Sequence, residues 1–154
     1  MSSNYQKLVH RLEETSRLGG IMGILHWDQE VIMPVGAADS RAKQMGVLAG
    51  IIHEKNTDPV IGDLLEKLSQ ENSFNSFEKC NINEARREYE METKVPKSLV
   101  MELAELSSKG HQVWVKARSE NKFSDFAPLL SQLIELKKRW AEYVAPNMQP
   151  YDAN

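Results

Sequence analysis

The stretch that decides the fold is residues 21–36, IMGILHWDQEVIMPVG. Apolar residues fill most of it, and Met33-Pro34-Val35-Gly36 ends it. Four polar or charged side chains stand among the apolar ones: His26, Asp28, Gln29 and Glu30. Unpaired polar groups are costly to bury, so these side chains are expected to join a hydrogen-bonded network or to face a cleft. The nearly continuous apolar character of residues 21–32 predicts a helix at the buried centre of the fold.

Helical periodicity recurs along the rest of the chain, and no segment alternates as a β-strand does. Residues 3–16 carry apolar side chains at helical spacing, and Gly19-Gly20 is predicted to break or bend this helix before the central one. Asp58-Pro59 provides an N-cap and a proline at the first helical position of a later helix. Pro128 is predicted to lie within the first turn of the last helix, after a turn at residues 123–126.

The clearest pattern in the chain is a stripe of residues that alternate by four and three: Leu99, Leu103, Leu106, Gly110, Val113 and Ala117. Such a stripe predicts a seam against a partner helix, with Gly110 allowing close approach. The next helical segment follows after about four residues, so the two are predicted to form an antiparallel hairpin. The chain is therefore predicted to be all-α, with about seven helices in antiparallel hairpins, bundle-like, forming one domain over residues 1–154.

Composition narrows the class of protein. The chain has 154 residues, of which 41% are hydrophobic and 27% charged, and this is typical of a globular domain. Its net charge of −3 and the lack of a basic patch predict no nucleic-acid partner. The single Cys80 excludes an internal disulfide and fits a reducing compartment. No apolar run reaches signal-peptide or membrane-spanning length, so a cytoplasmic location without membrane contact is expected.

The motifs of common catalytic and metal sites are missing from the sequence. His53-Glu54 begins like a zinc-peptidase helix, but the second histidine of that motif would stand at Thr57. No Glu-x-x-His pair, glycine-rich phosphate loop or Cys/His metal spacing occurs. His26 is interpreted as a hydrogen-bonded core or cleft residue, and His111 as solvated. The sequence therefore predicts no catalytic residue and no metal ligand within the chain.

Beginning at LHWDQEVIMPVG, the sequence resembles the N-terminal portion of the Taq (thermostable carboxypeptidase 1) family of zinc metallocarboxypeptidases. The resemblance continues in order through SRAKQMGVLAGIIHE, TDPVIGDLLEKL, NINEARREYEMETKVP and PYDA. It implies an almost entirely helical cytosolic hydrolase that releases C-terminal amino acids from peptides. In that family zinc, or cobalt, is held by an HExxH helix and a later glutamate. The resemblance places those ligands beyond these residues, so no cofactor is expected here.

The resemblance further implies that this helical portion flanks and covers the substrate groove. The candidate groove residues are His26, Trp27, Asp28, Gln29 and Arg41. The alternative, that these side chains pack the core and cap helices, remains open. A second hypothesis is a stand-alone helical interaction module that self-associates as a dimer through apolar surface. A peptide substrate is expected only for full-length relatives, and independent catalysis is the least favoured hypothesis.

Overall fold

The computed structural model describes residues 3–71 and 73–153, which form six α-helices and one short 3-10 helix. The helices are α1 (Ser3–Val31), α2 (Ala38–Asn56), α3 (Pro59–Ser69), α4 (Ser76–Glu92), α5 (Lys97–Ser119) and α6 (Phe123–Val144). The 3-10 helix, Val35–Ala37, precedes α2. Strands are absent from these described ranges, so the all-α prediction is confirmed. Within the same ranges, none of the helices has the length and apolar character needed to cross a membrane.

The first helix is continuous, and the predicted break at Gly19-Gly20 is wrong. Glycine lowers helix stability by about 1 kcal/mol relative to alanine but does not remove a backbone hydrogen bond, as proline does. Contacts on both sides of the glycines hold α1 against α2. Glu14 pairs with Lys55 at 2.7 Å, and Asp28 pairs with Arg41 at 2.5 Å. These pairs also show that α1 and α2 run antiparallel.

One hydrophobic core lies between the first half of α1, α3 and α4. Its buried members are Tyr5, Leu8, Ile61, Leu64, Leu65, Leu68, Ile82 and Ala85. Asp58 caps α3 as predicted, since its side chain accepts a hydrogen bond of 2.9 Å from the Val60 N–H and Pro59 follows. This cap fixes where α3 begins and therefore which of its side chains enter the core.

The contact between α2 and α5 depends on small residues of α2. A Cβ at Gly46 would lie 3.3 Å from the carbonyl oxygen of Met101, and one at Gly50 would lie 2.8 Å from the Met101 sulfur. Lys97, at the start of α5, reaches Glu54 near the end of α2 at 2.5 Å. The two helices therefore run antiparallel with their backbones close together.

The seam predicted on α5 is confirmed, and it packs against α6. A second core joins Val95, Leu99 and Leu136, and Leu103, Leu106, Trp140 and Val144 pack against it. A Cβ at Gly110 would lie 2.8 Å from a Leu129 methyl carbon, so glycine permits the close approach that the pattern predicted. Because the start of α5 meets the end of α6, the two helices form the predicted antiparallel hairpin.

The start of α6 differs from the prediction. Residues 123–126 are helical, so Pro128 is inside the helix and not in its first turn. The turn is made instead by Asn121, whose φ of 54° is left-handed. The Lys122 N–H donates to the Ala117 carbonyl at 2.8 Å, which is typical of a helix C-terminus closed by a left-handed residue.

The second half of α1 lies at the surface, although its sequence predicted a buried central helix. Ile24, Trp27 and Val31 are 65%, 56% and 63% exposed. Within the described ranges, only one side of this part of α1 is covered, by α2 and α5. Hydrophobicity in the sequence therefore overestimated how far residues 3–71 and 73–153 bury this part of α1.

Candidate functional site

The site suggested by the sequence lies on the second half of α1, where it meets α2 and α5. Arg41 of α2 is its most connected residue. Its guanidinium donates to the Asp28 carboxylate at 2.5 Å, to the Leu25 carbonyl at 2.7 Å and to the Gln44 side chain at 3.2 Å. Only 12% of the Arg41 side chain is exposed. Arg41 and Asp28 therefore fasten α1 to α2, and all three guanidinium nitrogens of Arg41 donate to partners inside the chain.

Gln29 makes the matching connection to α5. Its side-chain oxygen accepts a hydrogen bond of 2.5 Å from the Ser108 hydroxyl, and both residues are 5% exposed. A buried amide without such a partner would be costly, so this bond explains how a glutamine is accommodated under an apolar segment. Ser108 lies in no recognisable sequence motif, and its hydrogen bond to Gln29 joins residues that are 79 positions apart in the chain.

Glu30 and His111 form a second connection between α1 and α5 that sequence reasoning missed. His111 Nε2 lies 3.0 Å from the Glu30 carboxylate, so the prediction that His111 is simply solvated is wrong. The His111 and Trp114 rings are 6.0 Å apart, and the Arg118 guanidinium lies 5.2 Å from the Trp114 ring centre. A polar and aromatic strip of His111, Trp114 and Arg118 therefore runs along α5 from its contact with α1.

His26 and Trp27 are the two candidates whose side chains point outward. His26 is exposed, and its Nδ1 lies 3.1 Å from the Met22 carbonyl one turn earlier in α1. His26 is therefore not a core residue, and its alternative interpretation as a hydrogen-bonded cleft residue stays a prediction. Trp27 is more than half exposed. The structure brings Asp28, Gln29 and Arg41 into interhelical hydrogen bonds and leaves His26 and Trp27 accessible, while contact of any of them with a substrate stays a prediction.

The outward face of α1 forms an apolar stripe, which we call the α1 ridge: Gly20, Gly23, Ile24, Trp27 and Val31. Each helical residue advances about 100°, so these side chains share one side of the helix, opposite the buried Gln29. Apart from the adjoining residues and the nearby backbone of α1 itself, no described atom lies within 4 Å of the position a Cβ would take at Gly20 or Gly23. The ridge therefore has no partner among residues 3–71 and 73–153.

The histidines do not assemble a metal site. In the described part of the chain, no group of three or more His, Cys, Asp or Glu side chains is placed to hold a metal ion. His53 is buried, and its Nδ1 lies 3.0 Å from the Glu92 carboxylate, which links α2 to α4. The Thr57 hydroxyl donates to the His53 carbonyl at 2.8 Å and helps to close the end of α2. These residues therefore do not fit a zinc ligand set, which needs three protein ligands.

Comparison with solved structures identifies the class of protein whose fold this chain shares. Over 98% of its length the chain superimposes on 30% of the M32 carboxypeptidase structure from Deinococcus radiodurans R1, with a TM-score of 0.74 and 30% identity. It superimposes over 99% of its length on 31% of the crystal structure of BsuCP, with a TM-score of 0.93 and 28% identity. The helices of this chain are therefore arranged as in part of a carboxypeptidase.

Sequence comparison then gives the family. The chain is 33% identical to thermostable carboxypeptidase 1 of Thermus thermophilus, a match covering 96% of the chain and 30% of that relative. It is 30% identical to carboxypeptidase 1 of Bacillus subtilis, over 92% of the chain and 28% of that relative. Residues 7–153 match the model of the carboxypeptidase Taq (M32) metallopeptidase family, and the chain belongs to this family. It spans about 30% of the length of the curated relatives that it matches.

Proposed function

We propose that this chain acts as the N-terminal helical portion of a zinc carboxypeptidase that releases C-terminal amino acids from peptides in the cytoplasm. Its role is to flank and cover the substrate groove, and bond cleavage belongs to the rest of the fold. The observation that supports this most strongly is the TM-score of 0.93 over 99% of this chain but only 31% of a relative. Zinc, or cobalt, held by the rest of the fold would polarise the attacking water.

The contribution of this chain's own residues is positional. Arg41 and Asp28 fix the second half of α1 on α2, and Ser108 and Gln29 fix it on α5. These two connections, to α2 and to α5, restrain α1 more than either would alone, because α1 could still rotate about a single connection. Trp27 is consequently held at a defined place on the outer side of the helix, as a residue covering a groove must be.

A graft tests the proposal. Residues 1–154 replace the matched segment of carboxypeptidase 1 of Bacillus subtilis, and release of the C-terminal residue from a blocked dipeptide is measured with and without a chelator. We expect metal-dependent hydrolysis within about tenfold of the parent enzyme, because the helices are arranged alike. A chimera that folds and binds zinc but does not hydrolyse the dipeptide would contradict the proposed function.

The exposed apolar side chains favour a second candidate function, a stand-alone helical module that self-associates. Contiguous exposed apolar surface usually binds a partner, and a twofold dimer is the commonest arrangement. Sedimentation of the isolated chain at tens of micromolar is expected to show a dimer, and Trp27→Glu is expected to shift it to monomer. A strict monomer throughout that range would count against self-association.

A further inference from the structure

A groove runs between the first half of α1 and α4, and we call it the α1–α4 groove. Both helices pack on α3, but none of the described residues that line the groove belongs to α3. Two depressions, with volumes of about 530 and 450 Å³, share Val9, Glu13 and Asn81 as lining residues and therefore form one groove. The groove follows residues 5–16 of α1 over about 17 Å, which is the length of three helical turns.

The floor of the α1–α4 groove is apolar. Val9 and Leu12 of α1 line it together with Ala85 of α4, and all three side chains also belong to or pack against the core below. Phe77 of α4 lines one end of the groove and is 72% exposed, while Ile52 of α2 lines the other end. The floor is therefore held in place by the core, and it offers apolar area that a partner could bury.

The rim of the α1–α4 groove is acidic. Glu13, Glu84 and Glu88 line it, and the described residues that line it include no lysine or arginine. Glu13 pairs with Arg17 at 2.9 Å and Glu84 pairs with Arg87 at 2.8 Å, in both cases within one helix and at the surface, where such pairs are weak. Glu88 forms no ion pair with the residues that the structure describes. All three carboxylates are therefore available to a cationic partner.

We propose that the α1–α4 groove binds a basic amphipathic α-helix of a separate partner protein. A helix lying along the groove would place its apolar face on the floor, and lysine or arginine side chains beside that face would reach the carboxylates of the rim. These cations are expected opposite Glu84 and Glu88, since His10 lines the end near Phe77. The groove is on the first half of α1, apart from Trp27, so this function is additional to the one proposed above.

Binding of labelled model helices to residues 1–154 tests the proposal. The basic probe is a fluorescein-labelled peptide of about 14 residues, made of leucine and lysine with the leucines on one helix face. One control peptide has glutamate in place of lysine, and the other has the same composition in an order without an apolar face. Fluorescence anisotropy should give a Kd for the basic helix at least about tenfold lower than for either control, and salt should raise this Kd. Equal affinity for the three peptides would overturn the proposal.

Substitutions of exposed residues locate the binding. Glu88→Lys reverses a charge of the rim and Phe77→Ala removes exposed apolar surface, so each should raise the Kd of the basic helix at least about fivefold. Glu66→Lys makes the same charge change on α3, outside the groove, and should leave the Kd within about twofold. All three side chains are exposed, so Tm should change little. If Glu66→Lys weakens binding as much as Glu88→Lys, net charge alone attracts the peptide and the proposal is wrong.

The graft described above distinguishes this proposal from the proposed function. The basic helix should bind the graft about as tightly as it binds the isolated chain. An active graft that binds no peptide would mean that the rest of the carboxypeptidase occupies the groove, and this would overturn the proposal. A folded but inactive graft that binds the peptide would contradict the proposed function and support the docking site. A chain that binds no peptide but loses its dimer on Glu88→Lys would have a second copy in the groove, which would also overturn the proposal.

Discussion

Leu65→Ala is expected to lower the free energy of unfolding by about 2–5 kcal/mol, the range observed when a buried leucine is truncated. Leu65 is 1% exposed and lies in the core shared by α1, α3 and α4. The truncation removes side-chain contacts and leaves a cavity. α3 cannot easily shift to fill this cavity, because the N-cap at Asp58 and the hydrogen bond of 2.6 Å from Arg86 to the Leu65 carbonyl hold the helix in place. Urea unfolding followed by circular dichroism at 222 nm measures the change.

Val60→Ala is the matched control on the same helix. Val60 is 42% exposed, and its only capping contact uses the backbone N–H, which alanine keeps. Its free energy of unfolding should therefore stay within about 0.5 kcal/mol of the parent. A loss below about 1 kcal/mol for Leu65→Ala would mean that α3 is not part of a packed core.

Gly46→Leu is expected to separate α2 from α5 and to produce the other large loss of stability. A Cβ at this position would lie 3.3 Å from a backbone oxygen of α5 and 3.5 Å from the Glu105 Cβ, so the leucine branches have no room without helix movement. Overpacking of this kind costs about 1–3 kcal/mol or more and exceeds the gain of about 1 kcal/mol from better helix propensity. Thermal unfolding should show a lower Tm.

Gly23→Leu in the isolated chain is the comparison for this prediction. Gly23 is also inside a helix, but no described atom is near its Cβ position, so only the propensity gain remains. The two variants should differ by about 1–3 kcal/mol in unfolding free energy, because the propensity gain is common to both and only Gly46→Leu is overpacked. Equal stability of the two variants would contradict the close packing of α2 on α5.

Helix starts and helix faces that depend on residues close together in the chain could be predicted from the sequence. Asp58-Pro59 marks the start of α3, and the stripe that includes Leu99 and Gly110 marks the face of α5 that meets α6. Each of these signals acts through local geometry: a cap accepts a nearby N–H, and residues three or four apart share one helix face. Membership of the metallocarboxypeptidase family was likewise visible in the ordered motifs, and the match over residues 7–153 confirms it.

Features that depend on distant pairs could not be predicted. The hydrogen bond between Gln29 and Ser108 and the 3.0 Å contact between Glu30 and His111 have no local sequence pattern that would reveal them. The apolar run in residues 21–32 predicts a buried helix, but hydrophobicity alone does not identify which surface would bury it, and much of the run is exposed. Gly19 and Gly20 predict a break or bend from local propensity alone, whereas contacts with α2 on either side of them hold α1 as one helix.

The most direct test of the central claim is an assay of the isolated chain for carboxypeptidase activity. Purified residues 1–154 are incubated with zinc or cobalt and a blocked dipeptide, and the released C-terminal amino acid is quantified. If this chain is the non-catalytic helical portion of a metallocarboxypeptidase, release should equal the chain-free background. Metal-dependent release that follows the chain through purification and is abolished by His26→Ala would contradict the account.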